Sequence, residues 1–398
     1  MPIQLHTYEI IMLLSGTVIV SYLFNMLSRK TQIPSVLLLI ATGLGIQQLL
    51  QFYGFNTLNV GKLVKILGAV GIIMIVLEAA MDLTVNREKL PLIRNSFLSA
   101  TGIFVFSAVG IGGLISYMLH QPLHVSLIYA IPMSIISSAI VIPSTSHLPH
   151  DKKEFIIYES SFSDIMGILI FNYMLMDNVL SWGAFGTFTS KLLLAIVISV
   201  FASLLLLYIL MRITVTLKFF LMFAILALVY SAGELIHLPS LLIVLVFGLV
   251  LNNSRLVLTG KNDNPVTKRR MAEVLHLMRS ITEETSFLLR TFFFILFGYT
   301  IDLHTVASAD AVLIGSIIVA ILFLCRFLYL KYILKANMLP ELFLMPRGLV
   351  TILLFYSIPE AKAMANFNPG ILLFVVIVTS LLMMFGLMFY KQRQDDIL

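Results

Sequence analysis

The residues best suited to chemistry lie in one short run, E-S-S-F-S-D, at positions 159–164. On a helix of about 3.6 residues per turn, Glu159, Ser160, Ser163 and Asp164 fall within little more than one turn, and apolar residues follow them. Ionisable side chains at lipid depth are costly unless they are paired or hydrated, so a functional role is the default interpretation. The alternative is a structural polar cluster that locks helices together.

The composition indicates that this run lies in a membrane. The chain has 398 residues, of which 59% are hydrophobic and 12% are charged, and its mean hydropathy is +1.01. The apolar residues form runs of roughly 18 to 25, the length of a membrane-spanning helix, whereas a β-barrel would alternate in segments of about ten. The predicted fold class is therefore an all-α polytopic membrane protein. Its first apolar run is expected to be a retained helix, because no Lys or Arg precedes it and no small-residue cleavage site follows it.

About thirteen membrane spans are predicted from these runs. They cover residues 8–27, 34–50, 64–82, 95–119, 123–143, 155–178, 188–214, 217–236, 239–252, 284–303, 308–332, 342–360 and 370–390. Basic residues concentrate in alternate loops, which by the positive-inside rule places the N-terminus outside and the C-terminus in the cytosol.

The one long loop is predicted to divide the chain into two halves. It is expected to be a cytoplasmic linker over about 253–282, with a turn and then a surface-lying helix. The first half then covers about 1–252 and the second about 283–390. We expect residues 1–398 to form a single transmembrane domain without a soluble regulatory domain.

Helix-breaking residues interrupt the fifth and twelfth predicted spans. Pro132 and Pro143 bracket Ser137 and Ser138 in the fifth, and P-R-G stands at 346–348 in the twelfth. Because these spans are seven apart, they cross in opposite directions, as two inverted-topology repeats with crossed discontinuous helices require. The pattern is typical of a secondary transporter with its site at the midplane, although proline and glycine also kink membrane helices that have no such role.

Several charged residues are candidates for burial at depth. They are Glu159 and Asp164 on span six, Glu78 and Asp82 on span three, Arg290 on span ten and Arg347 on span twelve. An unpaired arginine at the bilayer centre is costly, so Arg347 needs an acidic partner. If Glu159 is that partner, the pair is structural, and Asp164 is left to titrate. Asp164 can hold a proton or a small hard cation, but not both at once, and this competition couples their exchange.

Oxygen ligands are available for such a cation, with Na⁺ or K⁺ bound at Asp164. The candidate ligands are the Asp164 carboxylate, the hydroxyls of Ser160 and Ser163, the freed backbone near Ser137 and Ser138, and Glu78. Hard oxygen donors suit this class of ion, and no Cys or His cluster competes for a transition metal. No nucleophile–base set, metal triad or phosphate loop is found, so neither an enzyme nor a cofactor is expected, and nucleic acid is not an expected partner.

These motifs resemble those of the monovalent cation:proton antiporter superfamily, closest to its bacterial NhaP-type sodium/proton branch. E-S-S-F-S-D at 159–164 is similar to that branch's E-S-x-x-N-D signature, and P-R-G-L-V-T at 346–351 resembles the segment whose arginine pairs with the signature glutamate. V-L-E-A-A-M-D at 76–82 resembles F-E-A-A-L, which implies that Glu78 lies near the ion. Segments 33–46 and 238–253 are similar as well, so the resemblance covers nearly the whole chain.

The resemblance implies an inverted-repeat fold with a core domain and a dimerisation domain, a homodimer, elevator-like alternating access and the bacterial inner (plasma) membrane. Three positions depart from the NhaP-type pattern. Ser163 replaces an asparagine, and Ser137 and Ser138 replace Thr-Asp, as in Kef-like potassium proteins. Arg290 stands where electrogenic members carry a lysine, and it is a candidate partner for Asp164 when no ion is bound.

The leading hypothesis is electroneutral exchange of one proton for one monovalent cation at Asp164. Na⁺ is the first candidate for the cation, with K⁺ and Li⁺ as alternatives. The protein is expected to be surrounded by membrane lipid. A Kef-like potassium efflux channel or antiporter is the second hypothesis. A carrier of organic anions is the third, and it would need Arg290 or Arg347 free to bind a carboxylate.

Overall fold

Helices account for all the regular secondary structure that is described. The structure, a computed structural model, describes residues 7–31, 33–53, 61–83, 87–145, 148–176, 181–212, 218–236, 238–253, 265–335 and 338–395. No strand occurs within those ranges.

The helices before the long loop are α1 (Thr7–Thr31), α2 (Ser35–Phe52), α3 (Gly61–Asp82), α4 (Leu90–Leu119), α5 (Leu123–Ser134), α6 (Ser138–Ser144), α7 (His150–Met174), α8 (Trp182–Arg212), α9 (Lys218–Leu235) and α10 (Ser240–Asn252). After the loop come α11 (Pro265–Tyr299), α12 (Ala309–Leu328), α13 (Leu349–Tyr356) and α14 (Gly370–Asp395). Short turns lie between these, and α12 continues as a π-helical turn over Tyr329–Leu334.

Many of these helices are apolar enough to enter a bilayer. Among the described residues, six spans are both long and apolar enough to cross it: Ser35–Phe52, Leu90–Leu119, Leu123–Ser144, Trp182–Ile209, Ala309–Leu334 and Gly370–Tyr390. Shorter apolar helices cover Leu14–Ser28, Ile66–Met81, Phe220–Leu235 and Ser240–Asn252. The chain is therefore an integral membrane protein, while the total of thirteen spans and the inverted repeat stay predictions.

The fifth span is interrupted where the sequence predicts. Helix α5 ends at Ser134, residues 135–137 are extended, and α6 begins at Ser138. The twelfth span is more irregular than predicted, because only α13 is an α-helix within the predicted range 342–360. Pro346 cannot donate a helical hydrogen bond, and the residue before a proline is pushed out of the helical conformation, so residues 344–348 form no helix.

The region predicted as a linker differs from the expectation. Residues 254–264 lie outside the described part of the chain, but Pro265 begins a single helix that runs to Tyr299. The predicted separate surface-lying helix is therefore wrong: these residues are the start of the helix of the tenth span. Proline is favoured in the first turn of a helix, and neither proline nor glycine follows it before Gly298.

The described residues belong to two compact units. The first is drawn from 1–70, 93–167 and 288–398, and the second from 71–92 and 168–287. The first unit contains both interrupted spans and the run 159–164. In the second unit, α8 is joined to α10 by a hydrogen bond of 2.6 Å from the Ser199 hydroxyl to the Ile243 carbonyl. The predicted single domain and its two halves stay predictions.

Within the first unit, two glycines bring α2 and α11 into backbone contact. A Cβ atom at Gly43 would lie 1.9 Å from the Ile295 carbonyl oxygen, and one at Gly298 would lie 2.3 Å from the Ile40 carbonyl oxygen. Each helix therefore needs a residue without a side chain where it meets the other. Small residues at such crossings are the usual means of close helix packing in membranes.

This contact predicts that Gly43→Ala lowers the thermal unfolding temperature of the purified protein in detergent. The added methyl must displace the backbone of α11, and overpacking of this kind costs about 1–3 kcal/mol. Gly45→Ala is the matched control, because nothing lies within 4 Å of a Cβ at that position of the same helix. Equal unfolding temperatures for the two variants would contradict the close packing of α2 against α11.

Candidate functional site

The two interruptions touch each other. The backbone N–H of Ser137, between α5 and α6, donates a 2.9 Å hydrogen bond to the carbonyl of Pro346, just before α13. Gly348 lies beside the same serine, since a Cβ at Gly348 would fall 2.4 Å from Ser137 Oγ. The φ of Gly348 is −153°, which any residue can adopt, so glycine is required here for space.

Asp164 meets the start of α6. Its carboxylate is 5% exposed, and its Oδ2 accepts hydrogen bonds from the Ser138 hydroxyl at 2.5 Å and from the Ser138 N–H at 3.4 Å. Free N–H groups in the first turn give a helix a partial positive charge, which favours an anion at that end. No described residue donates a hydrogen bond to the second carboxylate oxygen, Oδ1, although that atom is buried.

The two predicted serine ligands on α7 have different roles in this structure. Ser163 Oγ accepts a 2.9 Å hydrogen bond from the N–H of Ile136, and so fastens the interruption to α7. Ser160 Oγ donates at 2.8 Å to the carbonyl of Ile156 in its own helix. Both serines are buried, but only Ser163 is brought into contact with the interruption.

The predicted Glu159–Arg347 ion pair is wrong, because Arg347 bonds backbone carbonyls instead. Its Nε donates at 2.6 Å to the carbonyl of Met133, and its Nη1 donates at 3.0 Å to the carbonyl of Met345. Met133 lies in the last turn of α5, and the Ser137 N–H that would bond its carbonyl in a continuous helix binds Pro346 instead. The guanidinium therefore lies at the C-terminal end of α5, where the carbonyl oxygens carry a partial negative charge. These oxygens take the place of the expected carboxylate.

Glu159 pairs with Arg326, a residue that the sequence analysis missed. Arg326 Nη2 lies 2.7 Å from Glu159 Oε2, and Nη1 lies 3.3 Å from Oε1, while both side chains are fully buried. The Ser99 hydroxyl donates to Oε1 at 2.6 Å. A signal was available, because Arg326 falls inside the predicted span 308–332 and needs a partner for the same reason as Arg347.

A second ion pair extends this network to the entrance of α13. Arg326 Nε donates at 2.6 Å to the carbonyl of Glu341, and the Glu341 carboxylate binds Lys152 Nζ at 2.8 and 3.0 Å. Lys152 Nζ also donates to the carbonyl of Leu339 at 2.7 Å. Helix α7, which carries Asp164, is therefore bonded near its start to the segment that leads into the second interruption. From the sequence alone, Lys152 is expected to be only one of the basic residues of a cytoplasmic loop.

Arg290 does not form the predicted pair with Asp164. Its Nη1 donates at 3.3 Å to the carbonyl of Ala139 on α6, and both hydrogen bonds to the Asp164 carboxylate come from Ser138. Residue 143, four positions after Ala139, is a proline without an N–H, so the Ala139 carbonyl lacks its usual helical partner. Arg290 supplies a donor in its place.

Three further acidic residues near the ends or in the middle of predicted spans are Glu78, Asp82 and Asp302. Glu78 is half-buried on α3, in the second unit, and its predicted contact with the ion stays a prediction. The side chain of Asp82 lies outside the described part of the chain. Asp302, at the end of the tenth predicted span, caps the short helix Leu303–Val306 by accepting a 3.0 Å hydrogen bond from the His304 N–H.

The arrangement offers one uncommitted carboxylate oxygen in a buried, hydrogen-bonded frame. Within the described ranges, no group of three or more His, Cys, Asp or Glu side chains is placed to hold a metal ion. Such a centre suits a proton or a single small monovalent cation better than a multivalent metal, which needs several anionic ligands.

Comparisons with known proteins identify the family and the fold of the chain. A family model described as "Sodium/hydrogen exchanger, transmembrane" matches residues 15–390. Two structures of the sodium proton antiporter MjNhaP1 from Methanocaldococcus jannaschii have a similar fold at 18% identity. The structure at pH 8 gives a TM-score of 0.71 over 95% of this chain and 95% of that one, and the electron-microscopy structure gives 0.72 over 99% and 97%. No curated protein matches the chain.

The Glu159–Arg326 pair predicts an asymmetric response to mutation. Arg326→Gln leaves a buried, unpaired Glu159 and is expected to cost about 3–5 kcal/mol, whereas Glu159→Gln combined with Arg326→Gln removes both charges and costs less. Thermal unfolding in detergent measures the difference. Arg279→Gln is the control, since its ion pair with Glu283 is exposed and is worth less than about 1 kcal/mol. A double variant less stable than Arg326→Gln would contradict the pairing.

Proposed function

The chain belongs to the sodium/hydrogen exchanger family, and from that premise we propose that it exchanges one proton for one Na⁺ ion at Asp164. The observation that carries the proposal is the buried Oδ1 of Asp164, which has no hydrogen-bond partner in the described residues while Oδ2 is held by Ser138. A carboxylate held in this way keeps a fixed position and presents one free oxygen. A proton or a cation can occupy that oxygen, and each excludes the other.

The surrounding charges support a stoichiometry of one to one. Glu159 is neutralised by Arg326, and Arg347 is balanced by the carbonyls at the end of α5, so neither needs to change its proton during exchange. Asp164 then carries either H⁺ or a monovalent cation across the membrane, and the two forms have the same net charge. Exchange of one for the other moves no charge and is electroneutral.

Alternating access would follow from the interruptions themselves. We propose that α5–α6 and the segment 341–356 are the crossed discontinuous helices of two inverted repeats, and that the unit containing them moves as an elevator against a dimerisation domain. A homodimer in a bacterial inner membrane, with the N-terminus outside, completes the proposal. These points rest on the resemblance and on the loop charges.

The organic-anion alternative is weakened by the two arginines. Arg347 is buried against carbonyl oxygens, and Arg290 bonds the Ala139 carbonyl, so each guanidinium already has acceptors. Potassium remains a competing cation because Ser137 and Ser138 resemble the Kef-like pattern. Transport of K⁺ down its gradient without proton movement would favour a channel over an exchanger.

The proposal predicts that Asp164→Asn abolishes cation-dependent proton movement. An amide keeps the size of the side chain but can neither release a proton nor offer a charge to the cation. The assay is Na⁺-induced proton release in everted vesicles or proteoliposomes, repeated with K⁺ and Li⁺. Asp302→Asn makes the same chemical change at an exposed helix cap and should retain activity. Proton release that persists in Asp164→Asn would refute the assignment.

Competition at one carboxylate also predicts how transport depends on pH. As pH falls, a larger fraction of Asp164 holds a proton, so the apparent KM for Na⁺ should rise by up to about tenfold per pH unit while the maximal rate changes less. Initial rates over a grid of Na⁺ concentration and pH measure this dependence. A potential-sensitive dye should report no membrane potential. An apparent KM independent of pH, or a potential generated by exchange, would count against electroneutral competition.

A further inference from the structure

Three buried oxygens at the two interruptions lack a hydrogen-bond partner among the described residues. They are Asp164 Oδ1, Ser137 Oγ and Thr351 Oγ1. Leaving such a group unsatisfied is destabilising, and unsatisfied groups in native structures call for an explanation such as a bound ion or water. Asp164 and Ser137 belong to the candidate site. Thr351 has no role in the exchange described so far.

Thr351 lies on α13, one turn after the residue at which the second interruption meets the first. Gly348 is the N-cap residue of α13 and lies against Ser137 Oγ and Ile140 of α6. Thr351 is the third residue of α13. In a capping box the side chain of the third helical residue reaches back to the N-cap residue, so these two positions are close in space. Its side chain is fully buried. The hydroxyl therefore starts one turn from the point where the two interrupted spans meet.

We propose that the Thr351 hydroxyl is a specificity-determining ligand of the transported cation, in a set with Asp164 Oδ1 and Ser137 Oγ. This inference rests on the proposed exchange at Asp164. The set contains one carboxylate and two neutral hydroxyls, which suits a partly dehydrated alkali cation. It also draws on both interrupted spans, so a bound cation would hold their contact together. A proton needs only the carboxylate, so the hydroxyl affects the cation and not the proton.

The experiment compares Thr351→Val, which removes the hydroxyl at nearly constant shape, with Thr351→Ser, which keeps it. Thr351→Val should raise the apparent KM for Na⁺ by about tenfold, with a smaller rise for the larger and more weakly hydrated K⁺, and with little change in the maximal rate. Thr351→Ser should remain within about twofold of the wild-type chain. Thr101→Val is the matched control, because Thr101 Oγ1 is also buried without a hydrogen-bond partner among the described residues, but it belongs to α4, outside both interrupted spans.

Stability separates this role from a structural one. The Thr351 hydroxyl bonds no described residue, so Thr351→Val should unfold at the same temperature as the wild-type chain or higher. An unchanged KM for Na⁺ in Thr351→Val, or a KM rise that Thr351→Ser shares, would overturn the inference. If one of these outcomes occurs while Asp164→Asn abolishes exchange in the same assay, only the role of Thr351 is refuted and the proposed function stands. Exchange that survives Asp164→Asn would mean that the proposed function itself has failed.

Discussion

The break in the backbone between α5 and α6 is the constraint on which the site depends. A helix that stops inside a membrane leaves carbonyl groups at one broken end and N–H groups at the other, and lipid cannot satisfy either. Here the carbonyl end receives the Arg347 guanidinium, and the N–H end receives the Asp164 carboxylate. The Ser137 N–H between them is satisfied by the Pro346 carbonyl of the second interruption. A cation and an anion are thus buried at opposite helix ends without pairing with each other.

This arrangement leaves Asp164 chemically different from the other buried acid. Glu159 is held by two nitrogens of Arg326 and by the Ser99 hydroxyl, so each of its carboxylate oxygens has a charged hydrogen-bond donor. Among the described residues, Asp164 accepts hydrogen bonds from Ser138 alone, and its Oδ1 has no hydrogen-bond partner. Of two acids five residues apart on α7, one therefore strengthens the structure while the other is available for exchange.

The fixed ion pairs also define which elements would have to move together. Arg326 and Lys152 join α7, α12 and the approach to α13 through Glu159 and Glu341. Ser163 and Ser138 join α7 to the first interruption. Each contact lies within the first compact unit, so the proposed exchange site and its supporting charges belong to one unit. That property is what an elevator mechanism requires of a transport domain.

The sequence alone determined the membrane class and the position of the first interruption, and it singled out Asp164 as the candidate site. Those features depend on the length of apolar runs, on Pro132 and Pro143, and on the rarity of an acid at lipid depth, all of which are local. Only the tertiary structure decided that Glu159 binds Arg326 and that Arg347 is balanced by the carbonyls of α5. Several buried arginines were compatible with one glutamate, and a half-helix end is not visible as a partner until the backbone is placed. The choice of partner depends on which groups from distant segments come together in the fold. Their distances in space cannot be read from the spacing of the residues along the chain.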